Sequence, residues 1–218
     1  MLPEKDTVQI LLVDDHPIVR EGMAMFLALQ ANFKVCCQAG TPEEALDAFF
    51  KFSPALAIVD ISLGKDSGLD LVKSLRRHSP RLPILVMSQH EESIFAERAL
   101  RSGANGYVMK HEITARIVSA IHTVMSENVY LSEAMHERLA RGLARTGHGV
   151  AGPLEGLTER EFEVLHLLGL GLGTREISEK LNRSIKTIET HRARLKDKLQ
   201  LKTGAELARF AGQWLESK

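Results

Sequence analysis

Apolar residues fall along this chain in two alternating patterns. Short continuous runs end in polar or turn residues: Val8 to Asp14 (VQILLVD), Phe33 to Ala39, Ala55 to Asp60 (ALAIVD), Pro83 to Ser88 (PILVMS) and Gly106 to Lys110 (GYVMK). Such runs predict strands buried on both faces of a parallel sheet. Between them the apolar spacing changes to that of helices. Pro17 suits a first helical turn that Ile18 to Gln30 continue. Thr41-Pro42-Glu43-Glu44 supplies an N-cap, a first-turn proline and a capping-box glutamate for a helix to Phe52. Further helices are predicted over Gly68 to His78, near Ser93 to Ser102, and over Thr114 to Ser126. Five strand-then-helix units predict a doubly wound α/β domain with right-handed crossovers. Their short spacing fits a flavodoxin-like five-stranded parallel sheet better than a barrel.

The pattern changes after residue 127. Leu131 to Arg145 is helically periodic, and Gly147, Gly149, Gly152, Pro153 and Gly156 then interrupt regular structure. Residues 128–153 therefore read as a linker with a helical segment. From 154 to 218 only helices are legible, so a small all-α domain of four helices is expected. Thr158-Glu159-Arg160-Glu161 is a capping box opening the first, to Leu170. Thr174 is placed to cap a short second helix to Leu181, and Asn182-Arg183 turns the chain. Ser184 caps a third to Leu199, and a fourth runs from Thr203 to Leu215. Two helices joined by so tight a turn make a helix-turn-helix candidate.

At 218 residues the chain is long enough for one large or two ordinary domains, and 44% apolar with 26% charged residues is the make-up of a soluble globular protein. No run of 18 apolar residues occurs, and Met1 to Asp6 lacks the basic-then-apolar pattern of a signal peptide. No membrane association and a cytoplasmic location are expected. The formal net charge is zero, yet Lys180 to Lys202 holds eight Lys and Arg against two acids. One basic element on a neutral protein points to a local polyanion. Cys36 and Cys37 are neighbours in a strand, where adjacent side chains point to opposite faces. They are expected to be small core residues that neither pair nor share a metal.

Asp14, Asp15, Asp60, Ser88 and Lys110 fall at or just past the ends of the first, third, fourth and fifth strands. In a parallel sheet those ends form one rim, where ligands collect. Clustered carboxylates repel one another and call for a cation; hard oxygen donors suit Mg²⁺. Three carboxylates, a hydroxyl and an ammonium fit phosphoryl transfer to a carboxylate nucleophile, here Asp60. Individually, Asp14 and Asp15 could cap the first helix, Ser88 serve a turn, Lys110 be solvated and Tyr107 lie in the core. Caps and turns give no reason for all to share a rim.

On the third C-terminal helix, Ile188, Leu195 and Leu199 share a face suited to packing on Leu165, Ile177 and Leu181. The opposite face carries Lys186, Glu189, Thr190 and Ala193, flanked by Arg192, Arg194 and Lys198. Polar groups near a capped helix start, with cations beside them, suit entry into the DNA major groove. A surface helix with a merely solvated charged face is the bland alternative.

In order, LLVDDH, AIVDISL, ILVMS and GYVMK resemble the receiver domain of two-component response regulators over Val8 to Met125. That resemblance implies that Asp60 is the phosphoacceptor, with Asp14, Asp15 and the Ser62 backbone carbonyl joining it around Mg²⁺. It makes Ser88 and Tyr107 the switch pair and Lys110 the phosphate contact. The family often has Met-Pro where Leu63-Gly64 stands, so a looser loop is expected beneath the Ser62 carbonyl.

Leu157 to Glu161, Arg175-Glu176-Ile177, and Lys186-Thr187-Ile188-Glu189-Thr190-His191-Arg192 through Lys198-Leu199 resemble the LuxR-type DNA-binding domain over Leu154 to Trp214. The DNA contacts implied are Lys186, Thr187, Glu189, Thr190, His191, Arg192, Arg194 and Lys198. Together the halves are similar to the NarL/FixJ class of response regulators. A sensor histidine kinase, double-stranded DNA and a phosphorylation-driven homodimer are the partners this implies, with no enzymatic turnover beyond self-phosphorylation and autodephosphorylation. Two rivals stand beside it: an aspartyl-phosphate phosphotransferase or phosphatase with a protein-binding tail, and a regulator that binds DNA without phosphorylation.

Overall fold

The computed structural model describes residues 7–30, 32–145, 154 and 156–216. Two compact units divide between Ala140 and Arg141. The first contains β1 (Val8–Val13), α1 (Pro17–Ala28), β2 (Phe33–Ala39), α2 (Pro42–Phe52), β3 (Leu56–Asp60), β4 (Ser62–Leu63), β5 (Asp66–Ser67), α3 (Gly68–His78), β6 (Ile84–Ser88), α4 (Glu92–Arg101), β7 (Gly106–Met109) and α5 (Ile113–Met125). The main sheet has the order β2-β1-β3-β6-β7, all parallel. This is the flavodoxin-like topology expected, and β3 lies at its centre, buried throughout. Ile10, Leu12, Ile58, Leu85, Met87 and Val108 pack against α1 and α5 residues Leu27, Ile117, Ile121 and Val124 in one core. In register, Val13 faces Val59 and Asp60 faces Met87, which brings the polar strand ends onto one rim.

Three local features differ from the sequence expectation. The loop after Asp60 contains a two-strand ladder, Ser62 opposite Ser67 and Leu63 opposite Asp66. The register between β1 and β2 shifts, so that Ile10 faces Val35 but Leu11 faces Cys37. Cys36 is the extra residue of a β-bulge, and alternation of side chains fails there. The two thiols, expected on opposite faces, lie with their Sγ atoms 3.4 Å apart.

The third difference concerns the beginning of the supposed linker. The Tyr130 amide donates to the Asn105 carbonyl (2.9 Å) and the Tyr107 amide to the Tyr130 carbonyl (3.0 Å), so this residue pairs beside β7. α6 (Glu133–Arg145) then starts on the first unit. The Ser132 amide donates to Glu92 Oε1 (2.8 Å), and Arg138 donates to the Ser93 carbonyl (2.9 Å). Gly147, Gly149, Gly152 and Pro153 lie outside the described residues.

The second unit contains α7 (Glu159–Gly169), α8 (Thr174–Lys180), α9 (Ile185–Leu199) and α10 (Gly204–Glu216). The Thr158–Glu161 capping box forms with both bonds, Glu161 N to Thr158 Oγ1 and Thr158 N to Glu161 Oε2. Gly173, not Thr174, is the cap of α8, and its N–H goes to Glu176 Oε2 (2.7 Å). Asn182, at φ +50°, makes the turn, and Ser184 Oγ caps α9 by accepting from Thr187 N. Leu165, Ile177, Ile188, Leu195 and Leu207 are fully buried. Among the described residues, no helix is long and apolar enough to cross a membrane.

Candidate functional site

Lys110 joins the carboxylates of the rim. Its Nζ donates to Asp14 Oδ2 at 2.6 Å and to Asp60 Oδ2 at 2.8 Å. Asp14 and Asp60 are almost wholly buried. Burial therefore dominates Asp60 and, with Asp14 nearby, pushes its carboxyl up to about 6 despite opposition from Lys110 and the Ser62 amide. Burial alone would lower the Lys110 ammonium, but Asp60 and Asp14 outweigh it and hold that group above its ordinary value.

The acid pair does not cap α1. Its N-cap is His16, without a side-chain cap, and Asp14 Oδ1 instead accepts from the His16 amide (2.8 Å). Asp15 Oδ2 accepts from the Gly64 amide at 2.7 Å. Its buried Oδ1 makes no hydrogen bond, though His16 Nδ1 lies 2.7 Å away in poor geometry for one. Asp14, Asp15, His16 and Asp60 each offer an atom within 4.8 Å of all the others. An unbonded carboxylate oxygen among convergent hard donors fits a divalent cation.

Gly64 overturns the expectation of a loose loop. It adopts φ +54° and gives its N–H to Asp15. Proline offers neither, because its φ is fixed negative and it has no donor. The glycine ties the loop to the acid pair. Gly68 is equally constrained: its amide donates to the Ile61 carbonyl (2.7 Å), and an added Cβ would lie 1.8 Å from the Asp60 carbonyl oxygen.

Ser88 ends β6 beside Asp60, and Tyr107 is buried with its ring turned inward. Both engage one residue that sequence reasoning missed. The His90 amide donates to Ser88 Oγ (3.0 Å), and the Tyr107 hydroxyl donates to the His90 carbonyl (2.8 Å). The His90 ring stacks on Phe95 at 4.4 Å and reaches Ser62 Oγ at 3.4 Å. The only sequence signal was a polar residue just past a strand end.

On α9, Lys186, Glu189, Thr190, Ala193 and Arg194 are exposed. The other sequence candidates are drawn elsewhere. Thr187 Oγ1 bonds the Ser184 cap (2.8 Å). His191 is half-buried, its Nδ1 unbonded, with burial pulling its imidazole pKa down. Lys198 stays exposed but its ammonium is engaged by Glu161 Oε2 (2.7 Å) and the Gly156 carbonyl (2.9 Å), which ties it to the start of α7. Arg192 donates to Thr174 Oγ1 (2.6 Å), bracing the start of α8.

Comparison with known proteins accounts for both halves. Residues 10–122 match the family described as response regulator receiver domain. Residues 155–211 match bacterial regulatory proteins of the luxR family. The chain is a LuxR-family response regulator. Among its relatives, the transcriptional activator protein ExaE of Pseudomonas putida is 37% identical over 202 residues, covering 93% of this chain and 94% of that one. The oxygen regulatory protein NreC of Staphylococcus carnosus is 31% identical, covering 94% and 96%. Salmonella enterica RcsB, solved bound to promoter rprA with phosphomimetic BeF3⁻, matches with a TM-score of 0.58 at 26% identity, covering 95% and 99%. In this response regulator the acid cluster therefore occupies the receiver domain, and the exposed face of α9 belongs to the LuxR-type domain.

Proposed function

We propose that this response regulator controls transcription by accepting a phosphoryl group on Asp60 and transmitting its arrival to the α9 surface. The observation that carries this reading is the Lys110 ammonium bridging Asp14 and Asp60 at 2.6 and 2.8 Å on a buried rim. A carboxylate oxygen of Asp60 would attack phosphorus in line while the bond to the phosphohistidine nitrogen of a sensor kinase breaks. Asp14, Asp15, Asp60 and the Ser62 carbonyl would hold Mg²⁺, which supplies neutralising charge at the phosphoryl oxygens. Lys110 would shift from the carboxylates toward those oxygens, and Ser88 would donate its hydroxyl to one of them.

The last movement has a structural consequence. Ser88 Oγ holds the His90 amide while Tyr107 holds the His90 carbonyl, so redirecting Ser88 alters the support of the peptide that fixes Tyr107. A two-state surface at α4 and β7 would be biased in this way. Its output would be dimerisation, release of the DNA-binding unit, or both. Lys186, Glu189 and Thr190 would read base edges and Arg194 would contact phosphates, while Arg192 braces α8 through Thr174. A dimer would span half-sites one DNA turn apart. The chemistry stays on the protein's own carboxylate, without turnover of a second substrate, and the protein works in the cytoplasm.

Titration with acetyl phosphate or beryllofluoride, with and without Mg²⁺, tests the reading. Modification should require Mg²⁺, vanish in Asp60→Asn, and raise affinity for an operator. Equal modification of Asp60→Asn, or unchanged DNA binding on modification, would remove it.

A further inference from the structure

The bulge on β2 creates a pair of thiols that neither domain's function uses. β2 is the edge strand of the sheet, and at Cys36 the register slips by one residue against β1. Cys37 is buried, while Cys36 is half-buried and gives access to the pair. Cys36 Sγ lies 3.4 Å from both Cys37 Sγ and the Ile10 carbonyl oxygen. We propose that Cys36 and Cys37 form a dithiol site for trivalent arsenicals and related thiophilic metalloids.

Geometry favours this ligand class over the alternatives. A tetrahedral zinc ion with bonds of about 2.3 Å spreads two thiolates to roughly 3.8 Å, whereas a pyramidal centre with near-right angles and similar bonds holds them at roughly 3.3 Å. The observed 3.4 Å is close to the second value. A disulfide is the poorer product: neighbouring Cα atoms lie about 3.8 Å apart across a trans peptide, below the usual range of about 4.4–6.8 Å for disulfides. Such a bond stores strain and is readily reduced.

Protonation points the same way. Burial, with the Cys36 thiol beside it, pushes Cys37 up to about 12. Attack on peroxides and binding of divalent metals both require thiolate. Condensation with an arsenoso group, R–As=O, needs no net deprotonation. Two S–H bonds and the As=O bond break, two As–S bonds form, and one water leaves with both protons. Arsenic stays trivalent, so no oxidant or reductant is required. The chain has only these two cysteines, so the third arsenic position keeps its own substituent.

Phenylarsine oxide added to the native full-length protein in excess 2-mercaptoethanol, read by intact mass spectrometry, tests the site. One adduct per chain is expected, stable to the monothiol, stripped by 2,3-dimercaptopropanol, and lost in both Cys36→Ser and Cys37→Ala. Circular dichroism checks folding of each variant; should Cys37→Ala fail to fold, Cys36→Ser at the half-buried bulge position decides alone. No adduct on native protein, an adduct formed only in denaturant, or one that persists in Cys36→Ser would overturn the proposal.

Discussion

Replacing Asp60 by Asn should make the metal-free receiver domain gain stability relative to wild type as pH rises from acidic to neutral, although it removes the phosphoacceptor. The reason is the environment of the carboxylate. Burial raises Asp60 from 3.8 to about 6, with Asp14 adding to the rise and Lys110 and the Ser62 amide opposing it. A folded-state value above the unfolded one means that the native protein binds more protons between those limits. Wild-type stability therefore falls as pH rises through that window and stays lower above it. The drop from this group is about 3 kcal/mol at 1.36 kcal/mol per pH unit. Asn has no such titration. Relative to wild type, Asp60→Asn should gain about 3 kcal/mol between acidic and neutral pH, whatever constant offset follows from Lys110 losing one carboxylate. Urea unfolding with EDTA across that range measures this. Tyr107 and Tyr130 are the only tyrosines and belong to the first unit, whereas the sole tryptophan, Trp214, belongs to the second. Near-ultraviolet dichroism thus separates the two unfolding transitions. Saturating Mg²⁺ should narrow or reverse the difference, because a ligand of the native carboxylate stabilises wild type selectively. A pH-independent difference between the proteins would show that burial does not govern Asp60.

Three further outcomes are expected. Gly68→Ala should destabilise the receiver by about 3 kcal/mol or more, because the added Cβ meets backbone at Asp60 rather than a movable side chain; unchanged urea unfolding would contradict the close approach. Lys186→Ala and Thr190→Val should each weaken binding to a specific operator by about 1–3 kcal/mol, whereas Arg194→Ala should weaken all sequences alike and reduce the salt slope by about 1; fluorescence anisotropy against operator and random DNA distinguishes them. Lys198→Met should destabilise the C-terminal unit by about 1 kcal/mol, a figure discounted for the exposed lysine. Burial alone would raise Glu161, but Lys198 and Thr158 outweigh it and hold its carboxyl below the ordinary value. That stabilisation is present above the unfolded pKa and is lost as pH falls through the folded one, so the variant's deficit in Trp214-monitored unfolding should vanish in acid.

The sequence carried the strand-and-helix order because apolar periodicity and capping residues act over a few positions. The β3 run, the Thr158–Glu161 box and the Ser184 cap each appear where those local rules put them. Its errors lie where a distant partner decides. The Cys36 bulge depends on the register of β1, which no pattern within Phe33 to Ala39 records. Gly64 looked like a loosened loop until Asp15, 49 residues away, accepted its amide. Tyr130 looked like linker because its hydrogen bonds go to the backbone around β7.

What the sequence determined by itself was the inventory: a parallel α/β domain with acids at its strand ends, then a basic helix-turn-helix. Local propensity and burial suffice for that, since both depend on composition and spacing. Tertiary structure alone decided how each chemical group is used. It joined Lys110 to Asp14 and Asp60, placed His90 between Ser88 and Tyr107, and gave the buried Glu161 its partner in Lys198. Those outcomes depend on distances between residues far apart in the chain, and a charged side chain buried or half-buried by the fold must find its partner there.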